Sequence, residues 1–98
     1  YDRAILICGT GAGMSIVANK YKGVHAVACE SVYSAKMARA INNAQILCMG
    51  GWIVAPEMGV KMAEAFLTTD WLQDLEDWRK TWLTNASATV SELEETLF

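Results

Sequence analysis

A cysteine followed by a glycine-rich loop is the feature of this sequence with the clearest chemical potential. Cys8 is followed directly by residues 9–13, and three of those five residues are glycine. Backbone N–H groups that glycines leave open can surround a negative charge, and they lower the pKa of a thiol beside them. A thiolate next to such an anion hole can remove a proton alpha to a carbonyl group and hold the resulting enediolate. The pattern therefore indicates proton-transfer chemistry with Cys8 as the base.

The same loop has other interpretations. Thr10 could hydrogen-bond a substrate hydroxyl or simply stabilise the turn. As a dinucleotide-binding fingerprint the loop would need a third glycine where Met14 stands, although Glu30 follows Gly9 at the distance expected of the ribose-binding acid. A nicotinamide-dependent oxidoreductase therefore stays as a remote alternative. The loop lacks the Lys-Ser/Thr pair of a nucleoside triphosphatase.

The other cysteines and the histidine are not predicted to do chemistry. Cys29 and Cys48 are predicted to be small buried hydrophobic side chains. His25 lies within a predicted strand, where a packed or surface role is expected. No His/Cys/Asp cluster has the spacing of metal ligands, so no metal site is predicted. Three cysteines do not make a disulfide framework, and this count favours a reducing, cytoplasmic location.

The elements around the loop alternate between strand and helix. Ala4–Cys8 is a short apolar run without alternation, which predicts a strand buried on both faces of a parallel sheet. Further strands are predicted at 24–29 and 45–49, and helices at 14–21, at 56–69, and from an N-cap at Ser31 to Asn42. This order predicts an α/β fold, a three-layer α/β/α sandwich with a parallel Rossmann-like sheet. The sheet would place ligands beyond the carboxyl ends of its strands.

Residues 70–98 differ in character from the domain predicted over residues 1–69. An apolar helical stripe at spacings of 4, 3 and 4 consists of Trp71, Leu75, Trp78 and Trp82. A second short helix is predicted near Thr89, where Thr89 and Glu92 resemble a capping box. The stripe has too much apolar area to stay in water. We therefore expect a C-terminal helical extension that packs on the domain or on a partner chain.

Composition bounds the class of protein. The chain has 98 residues, of which 53% are hydrophobic and 19% charged, and this composition predicts one folded domain. A net charge of −3 argues against nucleic-acid and anionic-membrane partners. No apolar run approaches the ~18–20 residues of a membrane span. The chain begins at Tyr1 and enters an apolar run by residue 4, so we expect that an N-terminal portion of the natural protein is missing.

The run Ile5-Leu6-Ile7-Cys8-Gly9-Thr10-Gly11-Ala12-Gly13-Met14-Ser15-Ile16, followed by Ala18-Asn19-Lys20, closely resembles the signature of the type B ribose-5-phosphate isomerases. That family includes the galactose-6-phosphate isomerase subunits. The resemblance covers roughly residues 4–80. It implies isomerisation between aldose and ketose forms of a sugar phosphate through a cis-enediolate. It also implies that no cofactor is needed and that a homodimer shares its active sites.

The resemblance assigns roles residue by residue. Cys8 would shuttle the proton between C1 and C2, and Thr10 would help in ring opening. The backbone that would stabilise the enediolate belongs to Gly9, Gly11, Ala12, Gly13 and Met14. Asn42 would contact the substrate from the other subunit, and Arg79 would bind the phosphate.

Three positions depart from the family pattern. Ile41 stands where the family has its ring-opening histidine, and Trp52 and Leu75 stand where it has arginines. Isoleucine cannot transfer a proton, so these changes leave the identity of the sugar substrate undetermined. A tetrulose phosphate, which closes no stable ring, or another pentose or hexose phosphate would fit Ile41 better than ribose 5-phosphate. The alternative is a catalytically impaired sugar-phosphate-binding module of the same fold.

Overall fold

The computed structural model describes residues 1–97, which form three strands and four helices. The strands are β1 (Ala4–Cys8), β2 (Ala26–Ala28) and β3 (Ile46–Gly50). The helices are α1 (Ala12–Ala18), α2 (Val32–Ala40), α3 (Pro56–Thr68) and α4 (Asp77–Leu97). Within residues 1–97, no helix has the length and hydropathy that a membrane-spanning segment requires.

The three strands form a parallel sheet in the order β1-β3-β2. Side chains alternate along β3: Cys48 packs with Ala18 of α1 on one face, whereas Leu47 and Met49 pack with α2 and α3 on the other. Helices therefore cover both faces of the sheet, and the predicted three-layer α/β/α architecture is confirmed. The register pairs Cys8 with Gly50, so the ends of β1 and β3 lie side by side.

Within residues 1–97, β1 lacks the burial on both faces that its sequence predicts. It pairs only with β3 among residues 1–97, and the Ile7 side chain is 62% exposed. The strand buried on both faces is β3, in which Leu47 and Cys48 are fully buried. A continuous apolar run has the same pattern at a sheet edge as at its centre, so the sequence could not distinguish the two positions.

The helix predictions on the α2–α3 face are confirmed. The Ser31 hydroxyl accepts a hydrogen bond from the Ser34 N–H at 3.0 Å and caps α2, and Pro56 occupies the first turn of α3. Met62 and Phe66 of α3 are fully buried. These two helices cover the face of the sheet that carries Leu47 and Met49.

The C-terminal extension is one long helix and not the two helices that the sequence predicts. Residues 71–74 form a turn in which Leu72 and Asp74 have positive φ angles of 67° and 58°, so the predicted stripe from Trp71 to Trp82 is interrupted. The Thr89 hydroxyl donates to the Asn85 carbonyl at 3.2 Å inside α4 and caps no new helix. The predicted boundary between the domain (residues 1–69) and the C-terminal extension (residues 70–98) stays a prediction. Phe98 lies outside the described residues.

The buried aromatic ring of Phe66 gives a test of the core. Phe66→Ala is expected to lower the free energy of unfolding by about 3–5 kcal/mol, because it leaves a cavity between α3 and the sheet. The neighbouring Leu67→Ala, at a side chain that is 51% exposed, is the matched control and should cost about 1 kcal/mol or less. Urea unfolding followed by circular dichroism measures both. Equal losses for the two variants would contradict this position for the core.

Candidate active site

Cys8 ends β1, and its sulfur faces a nest of backbone N–H groups. The Gly11 N–H donates to the Cys8 Sγ at 3.2 Å. The pKa of this thiol is lowered, first by the N–H of Met14 and then by those of Gly11, Thr10 and Gly13, while partial desolvation acts in the opposite direction. The thiol is half-buried. It is therefore held in a setting that favours the thiolate and leaves it reachable.

The nest is shaped by close backbone contact with β3. Gly11 has a φ of 84°, and a Cβ there would lie 3.1 Å from the Met49 carbonyl carbon. A Cβ on Gly50 would lie 2.7 Å from both the Cα and the carbonyl carbon of Thr10. Only glycine fits this approach, and the Gly51 N–H donates to the Cys8 carbonyl at 2.7 Å across the same junction. The end of β3 thus fixes the loop that follows β1.

The remaining loop residues that the sequence singled out lie around the same sulfur. The exposed Thr10 hydroxyl accepts the Ala12 N–H at 3.4 Å, a long local contact that leaves its own proton free to donate. Gly13 and Met14 belong to the first turn of α1, which starts two residues earlier than predicted because Gly11 in the left-handed region begins the helix. Residues 9–14 are therefore brought together as one loop around Cys8.

Asn42 and Arg79 are not brought to this loop. Asn42 follows α2 and lines a cavity of about 550 Å³, which we call the Asn42 cavity, together with Ile41 and Trp82. Arg79 lies on α4, one turn before Trp82, where its guanidinium is 3.5 Å from the Glu76 carboxylate and stacks on Trp78. The Asn42 cavity lies beside the start of β2, and Cys8 lies at the opposite edge of the sheet. The intervening strand length is about 13 Å.

Two side-chain contacts were not predicted from the sequence. The Trp52 ring packs on Gly9, where a Cβ would come within 2.9 Å of the ring, and the ring is otherwise exposed. The His25 Nε2 lies 2.6 Å from the Glu94 Oε1, so His25 is neither a core nor a free surface side chain. No spacing pattern links residues 69 positions apart, and only the fold brings this pair together.

The other two cysteines are chemically distinct from Cys8. Cys29 and Cys48 are buried, as predicted, and burial raises the pKa of both thiols. No cluster of His, Cys, Asp or Glu able to hold a metal ion occurs within the described residues. Of the three thiols, only that of Cys8 is accessible and has a lowered pKa.

Comparison with known proteins agrees with this geometry. A sequence model of the family described as Ribose/Galactose Isomerase matches residues 1–81. The chain belongs to this family. The resemblance that the loop sequence predicted is thereby confirmed.

Relatives in this family differ in the substrates that their names state. Over all 98 residues the chain is 55% identical to a 4-deoxy-4-sulfo-D-erythrose isomerase of Clostridium sp. (strain MSTE9), of which it covers 62%. Over 70 residues, or 71% of the chain, it is 44% identical to a D-erythrulose-4-phosphate isomerase of Pectobacterium atrosepticum, of which it covers 46%. The structure of the Leishmania infantum type B ribose 5-phosphate isomerase superposes with a TM-score of 0.88 at 37% identity. This superposition covers 99% of the chain and 60% of that protein. The chain thus spans less than two thirds of each of these proteins.

The thiol environment gives a direct prediction. Alkylation of Cys8 by iodoacetamide is expected to have a pH midpoint below that of free cysteine, because the backbone N–H groups of its loop stabilise the thiolate. Cys29 and Cys48 should stay unmodified in the folded protein. Mass spectrometry of peptides after timed alkylation across a pH series measures all three thiols. A Cys8 midpoint equal to that of free cysteine would show that the nest does not act on the sulfur.

Two glycine variants test whether the loop geometry sets the pKa of Cys8. Gly50→Ala should raise the alkylation midpoint of Cys8, because the new methyl group displaces Thr10 and opens the nest. Gly13→Ala adds a methyl group with no atom within 4 Å and should leave the midpoint where it is.

Proposed function

We propose that the protein is an aldose–ketose isomerase in which Cys8 is the catalytic base. The Cys8 thiolate removes the proton from C2 of the open-chain aldose, and the electrons of the C2–H bond form a C1–C2 double bond. The carbonyl oxygen O1 takes up the negative charge of the cis-enediolate. The hydroxyl proton moves from O2 to O1, and the Cys8 thiol returns its proton to C1. The product is the 2-ketose, the thiolate is regenerated, and no cofactor is consumed.

The loop after Cys8 supplies the anion hole in this proposal. The N–H groups of Thr10, Gly11, Gly13 and Met14 act on the Cys8 sulfur and carry no net charge. On this proposal they also stabilise the enediolate oxygen that forms beside the sulfur. The lowered pKa of Cys8 supports its role, since it increases the fraction of thiolate that can accept the proton. Thr10 lies at the rim of the loop and is proposed to hydrogen-bond a substrate hydroxyl.

Asn42 and Arg79 belong to the substrate site through a second copy of the chain. Asn42 lies at the opposite edge of the sheet from Cys8, about 13 Å of strand away. Arg79 lies on α4, just after the segment that hydrogen-bonds to the end of α2. We infer that neither side chain reaches a small sugar held by the Cys8 loop of the same chain. A two-fold homodimer gives each Cys8 loop the Asn42 edge of the partner. Arg79 then binds the anionic end of the substrate through its guanidinium.

We propose that the substrate is a four-carbon sugar with an anionic group, sulfonate or phosphate, on C4. The relative that matches along the whole chain is named for 4-deoxy-4-sulfo-D-erythrose, and another is named for D-erythrulose 4-phosphate. In both sugars position 4 has no free hydroxyl, so a furanose ring cannot form. Such a substrate needs no ring-opening acid, and Ile41 occupies the position where that acid would stand. This agreement is the observation on which the substrate proposal depends.

A second candidate is a sugar-anion-binding module without catalysis. It is favoured by the uncharged side chains of Ile41, Trp52 and Leu75, because binding without turnover would tolerate the loss of proton-transfer and cationic groups at these positions. The two candidates differ in one measurable property, namely whether the C2–H bond of a bound sugar breaks.

Proton exchange at C2 tests the proposed function. The protein at its full natural length is incubated in deuterated water with D-erythrose 4-phosphate, 4-deoxy-4-sulfo-D-erythrose or ribose 5-phosphate, and deuterium incorporation is followed by NMR. We expect incorporation and ketose formation with the four-carbon sugars and a loss of at least about 10³-fold in Cys8→Ala, which removes the base. Cys48→Ala is the matched control at a buried thiol. Binding of a four-carbon sugar without exchange would support the binding module instead.

The side chain at position 41 provides a test of substrate choice. Ile41→His is expected to raise kcat/KM for ribose 5-phosphate, because an imidazole beside Asn42 can transfer a proton to the ring oxygen. The gain should be about 10-fold or more, whereas kcat/KM for the four-carbon sugars should change little. Ile41→Leu is the control without a titratable group. An equal effect on cyclic and acyclic sugars would contradict the ring-opening argument.

A further inference from the structure

Helix α4 is attached to the body of the protein at both of its ends. Before the helix begins, the Leu72 N–H donates to the Ala40 carbonyl at 2.8 Å, and the Trp71 indole N–H donates to the Ile41 carbonyl at 3.4 Å. These contacts tie the 71–76 segment to the end of α2. No residue of α4 itself is buried, so packing alone holds the rest of the helix weakly.

The far end of α4 is held by the carboxylate of Glu94, with an exposed Glu95–Lys22 ion pair beside it. Its Oε1 lies 2.6 Å from the His25 Nε2, and its Oε2 accepts the Gly23 N–H at 2.5 Å. The Glu94 side chain is only 15% exposed, whereas the neighbouring Glu95, which pairs with Lys22 at 2.8 Å, is 74% exposed. Both oxygens of a largely shielded carboxylate are thus used to join α4 to the segment before β2. We call the His25–Glu94 pair the latch.

The latch holds the helix that forms one wall of the Asn42 cavity. One wall of this cavity is formed by Ile41, Asn42 and the start of β2, and α4 forms the other. The α4 side chains that line it are Trp82, Leu83, Ala86, Ser87 and Val90. All of them lie between the two attachment points of the helix. A helix moves as a rigid rod, so release of its end at Glu94 would let this wall pivot away about the 71–76 turn.

We propose that His25 and Glu94 are positioning residues for substrate binding, acting by holding α4 as the wall of the Asn42 cavity. This inference rests on the proposed function of Asn42 as a substrate contact. The latch touches neither Cys8 nor its loop, which lie at the opposite edge of the sheet. It therefore acts on the strength of substrate binding and leaves the chemistry of proton transfer unchanged.

The experiment uses three substitutions on α4. Glu94→Ala removes the latch. Glu94→Gln keeps a carbonyl oxygen for the Gly23 N–H, and Glu92→Ala removes an exposed glutamate from the same helix as the matched control. Hydrogen exchange of α4 amides reports whether the helix is held. Calorimetric titration with D-erythrulose 4-phosphate gives Kd, and isomerase kinetics give kcat and KM separately.

Glu94→Ala is expected to speed amide exchange in the C-terminal half of α4. It should also raise Kd and KM about two- to tenfold, the range for one or two lost hydrogen bonds, with kcat within about twofold of wild type. Glu94→Gln should fall between wild type and Glu94→Ala, and Glu92→Ala should match wild type. The pH midpoint of Cys8 alkylation should be the same in all of these proteins.

Three results would overturn the inference. Unchanged amide exchange in Glu94→Ala would show that the latch does not hold α4. Faster exchange with unchanged Kd and KM would show that the latch is structural only. Failure of the proposed function has a different signature, namely a wild-type protein that turns over none of the sugars. The comparison of Kd between wild type and Glu94→Ala still decides on the latch in that case, and an absence of binding by both proteins would overturn it as well.

Discussion

The contact between the backbone of Thr10 and Gly50 is the constraint on which the rest of the site depends. Parallel pairing brings the ends of β1 and β3 together, and the missing side chain at Gly50 lets the loop after Cys8 lie directly against β3. That approach turns the loop through the left-handed conformation of Gly11 and directs the N–H groups of Thr10, Gly11, Gly13 and Met14 toward the sulfur. The lowered pKa of the thiol is thus a consequence of backbone packing, and no charged neighbour is needed for it.

The same topology explains why one chain holds only half of the proposed site. Each helix on the sheet returns the chain from the carboxyl edge to the amino edge, so Cys8 and Asn42 are placed at opposite edges. The apolar interior between them is occupied by the fully buried Leu47 and Phe66 and leaves no path for a small sugar. The proposed homodimer would resolve this separation, because a two-fold axis can bring the amino edge of one copy to the carboxyl edge of the other.

Local signals in the sequence predicted the elements, and contacts distant in sequence decided the rest. The order of strands and helices, the Ser31 cap and the buried cysteines followed from periodicity and residue type. The edge position of β1 among residues 1–97 could not be predicted, because it depends on which strands pair. The single helix α4 was also missed, since threonine can bond a carbonyl four residues back as readily as it caps a helix. The latch joins His25 to Glu94, a pairing that no local pattern encodes.

The change at Ile41 is consistent with an isomerase because ring opening and isomerisation require different groups. Isomerisation needs a base at C2 and an anion hole at O1, and on our proposal both lie on the loop that follows β1. Ring opening needs a proton donor at the ring oxygen, and the family resemblance places that donor at position 41, at the other edge of the sheet. Because the two functions are physically separate, the second can be lost without disturbing the first. An enzyme that keeps the Cys8 loop and lacks the donor is therefore restricted to sugars that are already open.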